Sequence, residues 1–312
     1  MRSRSSTVAR ALTATTGAGA LLGTAGVAYA AGIEVRAYTL RRVELPILPA
    51  RRETVRVLHL SDLHMTPGQT KKQHWVRQLG DLQPDLVVNT GDNLAHQESV
   101  PAVLGALRGL LGAPGVFVLG SNDYFAPSKR NPVKYLLPDD GKRNTHTPKL
   151  PWPELCDGFE ASGWRNLNNR RDTLSVKGTT FAFAGVDDPH LQYDDLGAVA
   201  GRADPSADLR IGVTHAPYLR VLDAFSADRY DLIFAGHTHG GQLCLPFKGA
   251  LVTNCDLDTG RAKGLHRHPA QAPADHPEAA WLHVSAGLGT SPYAPVRFCC
   301  RPEATLLTLT PR

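Results

Sequence analysis

The chain has 312 residues, 42% hydrophobic and 20% charged, a balance that supports a packed core and excludes disorder as its main state. Its formal charge of +5 is concentrated at the front, where eight of the 34 Lys and Arg but only two of the 29 Asp and Glu precede residue 53. The remainder carries 26 basic against 27 acidic side chains. That argues against a nucleic-acid binder, whose positive charge normally lies on the folded domain.

Residues 1–52 read as an N-terminal membrane anchor or export signal followed by a linker. Arg2, Arg4 and Arg10 precede an uncharged stretch from Ala11 to Ile33, which has the length of a membrane span and the flank of the positive-inside rule. Nine of its 23 residues are Gly or Thr, which is weakly apolar for a permanent anchor. Ala28-Tyr29-Ala30 also fits a signal-peptidase site. An anchor and a cleaved signal therefore both stand open, and either places the remaining domain outside the cytoplasm, at the membrane, secreted or in the cell wall.

From residue 53 to 312 the chain alternates apolar runs with amphipathic segments, the pattern of an α/β sandwich in one domain. The runs are "VRVLHLSD", "DLVVNTGD", "GVFVLGSND", "LRIGVTHAP", "DLIFAGHTH" and "WLHVSAGLG", each ending in a polar cluster. Helices are expected near residues 71–82, 99–111, 153–162 and 217–226. "TLSVKGTTFAFAGV" reads as a hairpin turning at Lys177-Gly178. Residues 124–152 form a Pro-rich insertion in which Lys129, Arg130, Lys134, Lys142, Arg143 and Lys149 could steer an anionic substrate or lean on anionic lipid. Residues 260–280 read as a surface excursion with solvated His266, His268 and His276. Five cysteines with no CxxC spacing leave the compartment open, and Cys299-Cys300 read as part of a C-terminal strand.

The polar clusters carry the chemistry. Asp62 and His64 are two apart on an extended backbone and so share a side. Asp92 follows Gly91, Asn122 lies in "GSND", His215 follows Thr214, and His237 and His239 stand in "GHTHGGQ". Asp62 alone could cap a turn, and Gly-Asp is ordinary turn chemistry. The weight lies in the clusters arriving in order, each just past the carboxyl end of a strand, where open α/β sheets place their ligands. Two carboxylates, an amide and four histidines exceed what a single tetrahedral zinc needs. They suit two divalent ions such as Mn, Fe or Zn, with one carboxylate as bridge. Such a pair, roughly 3.5–4 Å apart, lowers the pKa of a bridging water to supply hydroxide at neutral pH and grips a phosphoryl oxygen.

In this order the motifs resemble those of the calcineurin-like metallophosphoesterases, D-x-H, G-D, G-N-H-[DE], a lone H and G-H-x-H. "GHTHGGQ", "VSAGLGTS" and "PEATLLTL" are similar to a subgroup of membrane-associated or exported phosphodiesterases and lipid pyrophosphatases. The resemblance implies a four-layer αββα sandwich of two mixed sheets. It also implies one metal on Asp62, His64, Asp92 and His239 and another on Asp92, Asn122, His215 and His237. Its third motif departs from the pattern: a gapless match puts Ser121 where the family has its ligating asparagine and Asn122 where it has the histidine that protonates the leaving group. We take Asn122 as the ligand, because an amide oxygen serves a hard cation better than a neutral hydroxyl. The usual general acid is then absent, and His96, four residues past Asp92, is a candidate substitute, with His146 a second.

These readings lead to a metal-dependent hydrolase acting on phosphodiester or pyrophosphate bonds of lipid or envelope molecules. The alternative is a metal-binding module with little turnover, motivated by the missing histidine. A nuclease is disfavoured by the near-neutral domain, since binding of a phosphate backbone draws on Lys and Arg.

Overall fold

The computed structural model describes residues 23–129, 137, 141, 143, 145–273, 276 and 278–312. Residues 23–32 are helical and lead through a turn at Glu34–Arg36 into β1 (Thr39–Leu48). Most of the uncharged N-terminal stretch lies outside the described residues, and no helix among those described is long and apolar enough to cross a membrane. The strands that follow are β2 (Val55–Leu60), β3 (Leu86–Asn89), β4 (Gly115–Phe117), β5 (Arg165–Asn166), β6 (Arg170–Val176), β7 (Thr179–Gly185), β8 (Leu209–Val213) and β9 (Leu232–Ala235). After a short hairpin of β10 (Cys244–Leu245) and β11 (Gly249–Ala250) come β12 (Gly264–His268), β13 (Ala280–Val284) and β14 (Glu303–Pro311).

Two six-stranded mixed sheets result, in the orders β1-β14-β2-β3-β4-β5 and β12-β13-β9-β8-β7-β6. Their inner faces meet in a core of Val57, Val88, Val116, Phe181, Phe183, Ile211, Phe234 and Leu307, among others. The outer face of the first sheet is covered by the helices Thr70–Gln78, Val100–Leu107 and Trp152–Ala161 through Val76, Val103, Leu107, Leu155 and Phe159. Helix Leu219–Ala227 covers the second sheet with Val221, Leu222 and Phe225. The molecule is a four-layer αββα sandwich. Its central strands read as unbroken apolar runs because each is buried on both faces.

The hairpin turns where its sequence indicates. Val176 pairs with Thr179, and Lys177 and Gly178 take φ of 48° and 72°, the two left-handed residues of a tight two-residue connection.

Four segments depart from the sequence reading. Residues 39–48, read as linker, form β1 and pair in parallel with β14 from Thr39↔Glu303 to Leu48↔Pro311, so the sheet begins before residue 53. Residues 264–268 are an edge strand, and His268 is buried with Nε2 2.8 Å from Asp223 Oδ1 instead of solvated. Cys299 and Cys300 lie in the loop before β14, where a φ of 51° at Cys299 leaves it exposed while Cys300 turns inward. The ends of the 124–152 insertion are clasped by Ala126 N–H on Pro148 O and Leu150 N–H on Tyr124 O. Arg130, Lys134 and Lys142 fall outside the described residues.

Candidate metal centre

Strands β2, β3, β4, β8 and β9 end at one edge of the sandwich, and the loop after each delivers one of the motif clusters. Backbone strain marks this edge: Asp62, His64, Asp92, His237 and His239 all have positive φ, between 40° and 68°, so Asp62 and His64 converge through left-handed turns and not, as expected, along an extended backbone. Non-glycine residues rarely occupy that region, and clustering there is typical of sites whose side chains must be aimed. Backbone hydrogen bonds lock the loops together, Asp62 N–H to Gly91 O at 2.8 Å and His64 N–H to Asp92 O at 2.9 Å.

Two overlapping groups of ligand atoms form here, Asp62 with His64 and His239, and Asp62 with Asp92 and His215, each group within 4.8 Å. Asp62 is common to both groups, and the carboxylate of Asp92 faces one histidine of each, with Oδ2 3.5 Å from His64 Nε2 and Oδ1 3.5 Å from His215 Nε2. Asp62 Oδ1 lies 3.4 Å from His239 Nε2 and also receives the His237 N–H at 3.2 Å. Asn122 rests on Asp92, donating its backbone N–H to Oδ1 at 2.8 Å and Nδ2 to Oδ2 at 2.7 Å. Ser121 Oγ is 3.5 Å from the Asn122 amide nitrogen.

His237 stands at the edge of this cluster. Its ring packs 5.3 Å from that of His215 and 4.5 Å from that of His190, and its Nε2 lies 3.1 Å from Asn254 O. His96 is apart from the cluster: it is exposed, and its Nδ1 accepts the Glu98 N–H at 3.1 Å, closing a local turn. His146 is likewise exposed.

The donor set fits divalent cations on two observations. His215 Nδ1 donates to Thr90 O at 2.6 Å and His239 Nδ1 donates to Gly289 O at 3.1 Å, so each ring, when neutral, turns its Nε2 lone pair inward. The buried His215 Nε2 has no hydrogen-bond partner. Burial holds His64 down at about 4 and His239 well below its ordinary value, so both rings are neutral donors. Burial also pushes Asp62 up to about 6, despite the nearby His215. Asp92 is buried too, but His215, His64 and Asn122 outweigh that cost and hold it well below the usual carboxylate range. His215 is correspondingly raised, burial being overcome by Asp92, Asp62 and Asp188. A cation bound here would displace the proton that Asp92, Asp62 and Asp188 favour on His215 Nε2 and would ligate the lone pair so freed.

Three supporting side chains escaped the sequence reading, and a fourth, Asp123 of "GSND", was given no role there. Arg297 is fully buried and donates to the carbonyls of His239, Ala286, Gly287, Gly289 and Cys300. Lys72 is buried beneath the first loop, with Nζ 2.6 Å from Leu63 O and 3.3 Å from His64 O. Asp123 accepts the backbone N–H groups of Asp92, Asn93, Leu94 and Gly120. His190 follows β7, with Nδ1 3.1 Å from Tyr218 Oη, and Arg143 of the insertion donates to that same hydroxyl at 2.9 Å. Lys72 had a signal: it is four residues before Val76, on the buried face of its helix. His190 had one too, since "GVDDPH" is another apolar run ending in a polar cluster.

The profile of the calcineurin-like phosphoesterases matches residues 55–241. An uncharacterized metallophosphoesterase, YkoQ of Bacillus subtilis, is 27% identical over 83% of this chain and 84% of its own length. The UDP-2,3-diacylglucosamine pyrophosphatase LpxG of Chlamydia trachomatis is 27% identical over 84% of this chain and 86% of its own. A transmembrane protein with metallophosphoesterase domain from Bos taurus is 28% identical over 64% of this chain and 44% of its own. Metallophosphoesterases hydrolyse phosphoesters with divalent metals, and the profile covers all the motif clusters from Asp62 to His239. On these grounds the chain belongs to the calcineurin-like phosphoesterases.

Proposed function

We propose that the chain uses a dinuclear centre to hydrolyse phosphodiester or pyrophosphate bonds in lipid or envelope molecules. The observation that carries this reading is the single Asp92 carboxylate facing His64 with one oxygen and His215 with the other. In this reading Asp62, His64, Asp92 and His239 hold one cation and Asp92, Asn122, His215 and His237 the other. Divalent cations there supply positive charge that grips phosphoryl oxygens and acidifies water for attack on phosphorus.

The protein's own residues define the rest. Asp92 is oriented by the two hydrogen bonds from Asn122, and rotating that amide by half a turn would offer its oxygen to a cation. His215 and His239 are held by Thr90 O and Gly289 O in the tautomer that ligation requires. Arg143, His190 and Tyr218 form the rim next to His237, where the non-transferred part of an anionic substrate would lie. The pyrophosphatase relative supports a diphosphate or lipid-type substrate, and residues 1–52, read as a membrane anchor or export signal plus linker, would hold the domain at the membrane outside the cytoplasm or, if cleaved, release it to the cell wall or medium.

The missing histidine of the third motif, where Asn122 stands instead, favours a second reading, a metal-binding module with little turnover. Assay of the Mn- or Zn-loaded full chain against phosphomonoesters, phosphodiesters, nucleoside diphosphate esters and phospholipids separates the two. Turnover of diesters or pyrophosphates supports the proposal. Binding of metal with no turnover of any of them supports the module.

A further inference from the structure

The β10–β11 hairpin carries "CLPFKG" at residues 244–249, and its tip is uncovered. Leu245, Pro246, Phe247 and Lys248 are all exposed, Phe247 fully so. Phe247 also has a φ of 65°, so the chain holds a large apolar side chain out in water on a backbone conformation that such a residue rarely adopts. Nothing among the described residues covers it.

The hairpin grows directly from the metal-binding loop. Cys244 Sγ donates to Gly240 O at 3.2 Å. A β-carbon on Gly241 would meet Ala250 Cβ at 2.4 Å, so the hairpin base rests against the two glycines that follow His239. On its other side the hairpin is joined to the N-terminal segment through residues 297–300. Cys244 N–H donates to Phe298 O at 2.9 Å and Phe298 N–H to Gln242 O at 3.1 Å, while Arg297 N–H donates to Ala30 O at 3.2 Å. Cys300 N–H donates to the Glu34 carboxylate at 2.6 Å. The N-terminal segment itself exposes Val27, Tyr29 and Ile33, and the loop before Arg297 exposes Tyr293.

The charges on these segments have one sign. Across residues 23–36, 244–250 and 291–301 the exposed charged side chains are Arg36, Lys248 and Arg301, and the only carboxylate, Glu34, is buried. Exposed apolar side chains flanked by cations, without anions, suit the interface of an anionic lipid bilayer. In the sequence, the residues that precede this surface belong to the uncharged run from Ala11 to Ile33.

We infer that the hairpin tip, with the exposed side chains of residues 27–33 and Tyr293, forms a bilayer-contacting surface that sets the metal centre against the membrane. The surface stands on its own geometry. Its consequence, that the phosphoester is taken from a lipid in that bilayer, rests on the proposed function.

The test uses full-length Phe247→Trp and wild-type chains with vesicles of phosphatidylcholine containing a minority of phosphatidylglycerol. The emission added by the introduced indole is expected to shift to shorter wavelength on vesicle binding and to be quenched by lipids carrying a nitroxide near the headgroup. Equal quenching of that added emission by aqueous iodide with and without vesicles would overturn the inference. In Leu245→Ser/Phe247→Ser, turnover of a vesicle-borne phosphodiester or pyrophosphate lipid is expected to drop roughly tenfold or more. Hydrolysis of a soluble chromogenic diester should stay within about twofold. Equal turnover of the vesicle-borne lipid by the variant and wild type would overturn the inference. So would a concentration-dependent dimer that this variant abolishes, with no lipid quenching, because the face would then receive a second copy. If no ester is turned over by either protein the hydrolase reading fails, and the quenching result still decides the surface.

Discussion

His64 and His239 point their Nε2 atoms at each other across 3.2 Å, and His239 has its other ring nitrogen 3.1 Å from Gly289 O. In the metal-free protein one of these nitrogens must carry the proton for the pair to hydrogen-bond, whereas a cation between them would accept a lone pair from both. Replacing His239 with Ala should therefore remove one of two bound metals and lower phosphodiester turnover by roughly 10²-fold or more, since even outer partners of ligands cost about 10- to 100-fold. Metal content by elemental analysis and kcat on a diester check it.

Gly236, just before the histidine pair, is required by contact. A β-carbon there would lie 1.8 Å from Ser61 Oγ and 2.7 Å from Asp62 Oδ2. Gly236→Ala should displace Asp62 and cost about 1–3 kcal/mol by overpacking, together with a loss of metal affinity. Chemical denaturation with and without Mn measures both.

Arg297 ties the last loop to the centre by donating to five carbonyls while fully buried. Arg297→Met leaves those acceptors unsatisfied, and the expected loss is about 3 kcal/mol or more. Arg297→Lys, which reaches fewer of them, should fall between. Urea midpoints rank the three proteins.

These cases show what the sequence could and could not disclose. The strands that carry ligands were readable because burial on both faces makes them continuous apolar runs, and each stops at its polar cluster. β1 was not, since "TLRRVELPIL" alternates polar and apolar residues next to a basic stretch and becomes a strand only by pairing with β14 more than 250 residues away. His268 looked solvated because its partner, Asp223, lies on another element. Arg297 sits in "PYAPVRFCC" with no periodicity around it, and its role depends on carbonyls brought together by folding.

Metal binding should depend on pH through Asp62. Its carboxyl is raised from the ordinary 3.8 to about 6 by burial, so in the metal-free protein its contribution to stability is complete below the unfolded value and is lost as pH rises through 6. A cation replaces the proton. Added Mn or Zn should thus raise Tm clearly at about pH 8 and little at about pH 5. An equal shift at both would exclude Asp62 as a ligand.

His96 is exposed and turned onto the Glu98 N–H. His96→Ala is expected to change turnover by less than about twofold for esters with good and with poor leaving groups alike. A selective loss with the poor leaving group would reinstate His96 as the proton donor.

A dinuclear centre requires two cations sharing Asp92. An anomalous-scattering map of crystals soaked in Mn, with elemental analysis of the same preparation, tests it directly. The predicted result is two peaks flanking the Asp92 carboxylate and two Mn per chain. No Mn there, or a single ion bound without Asp92, would contradict it.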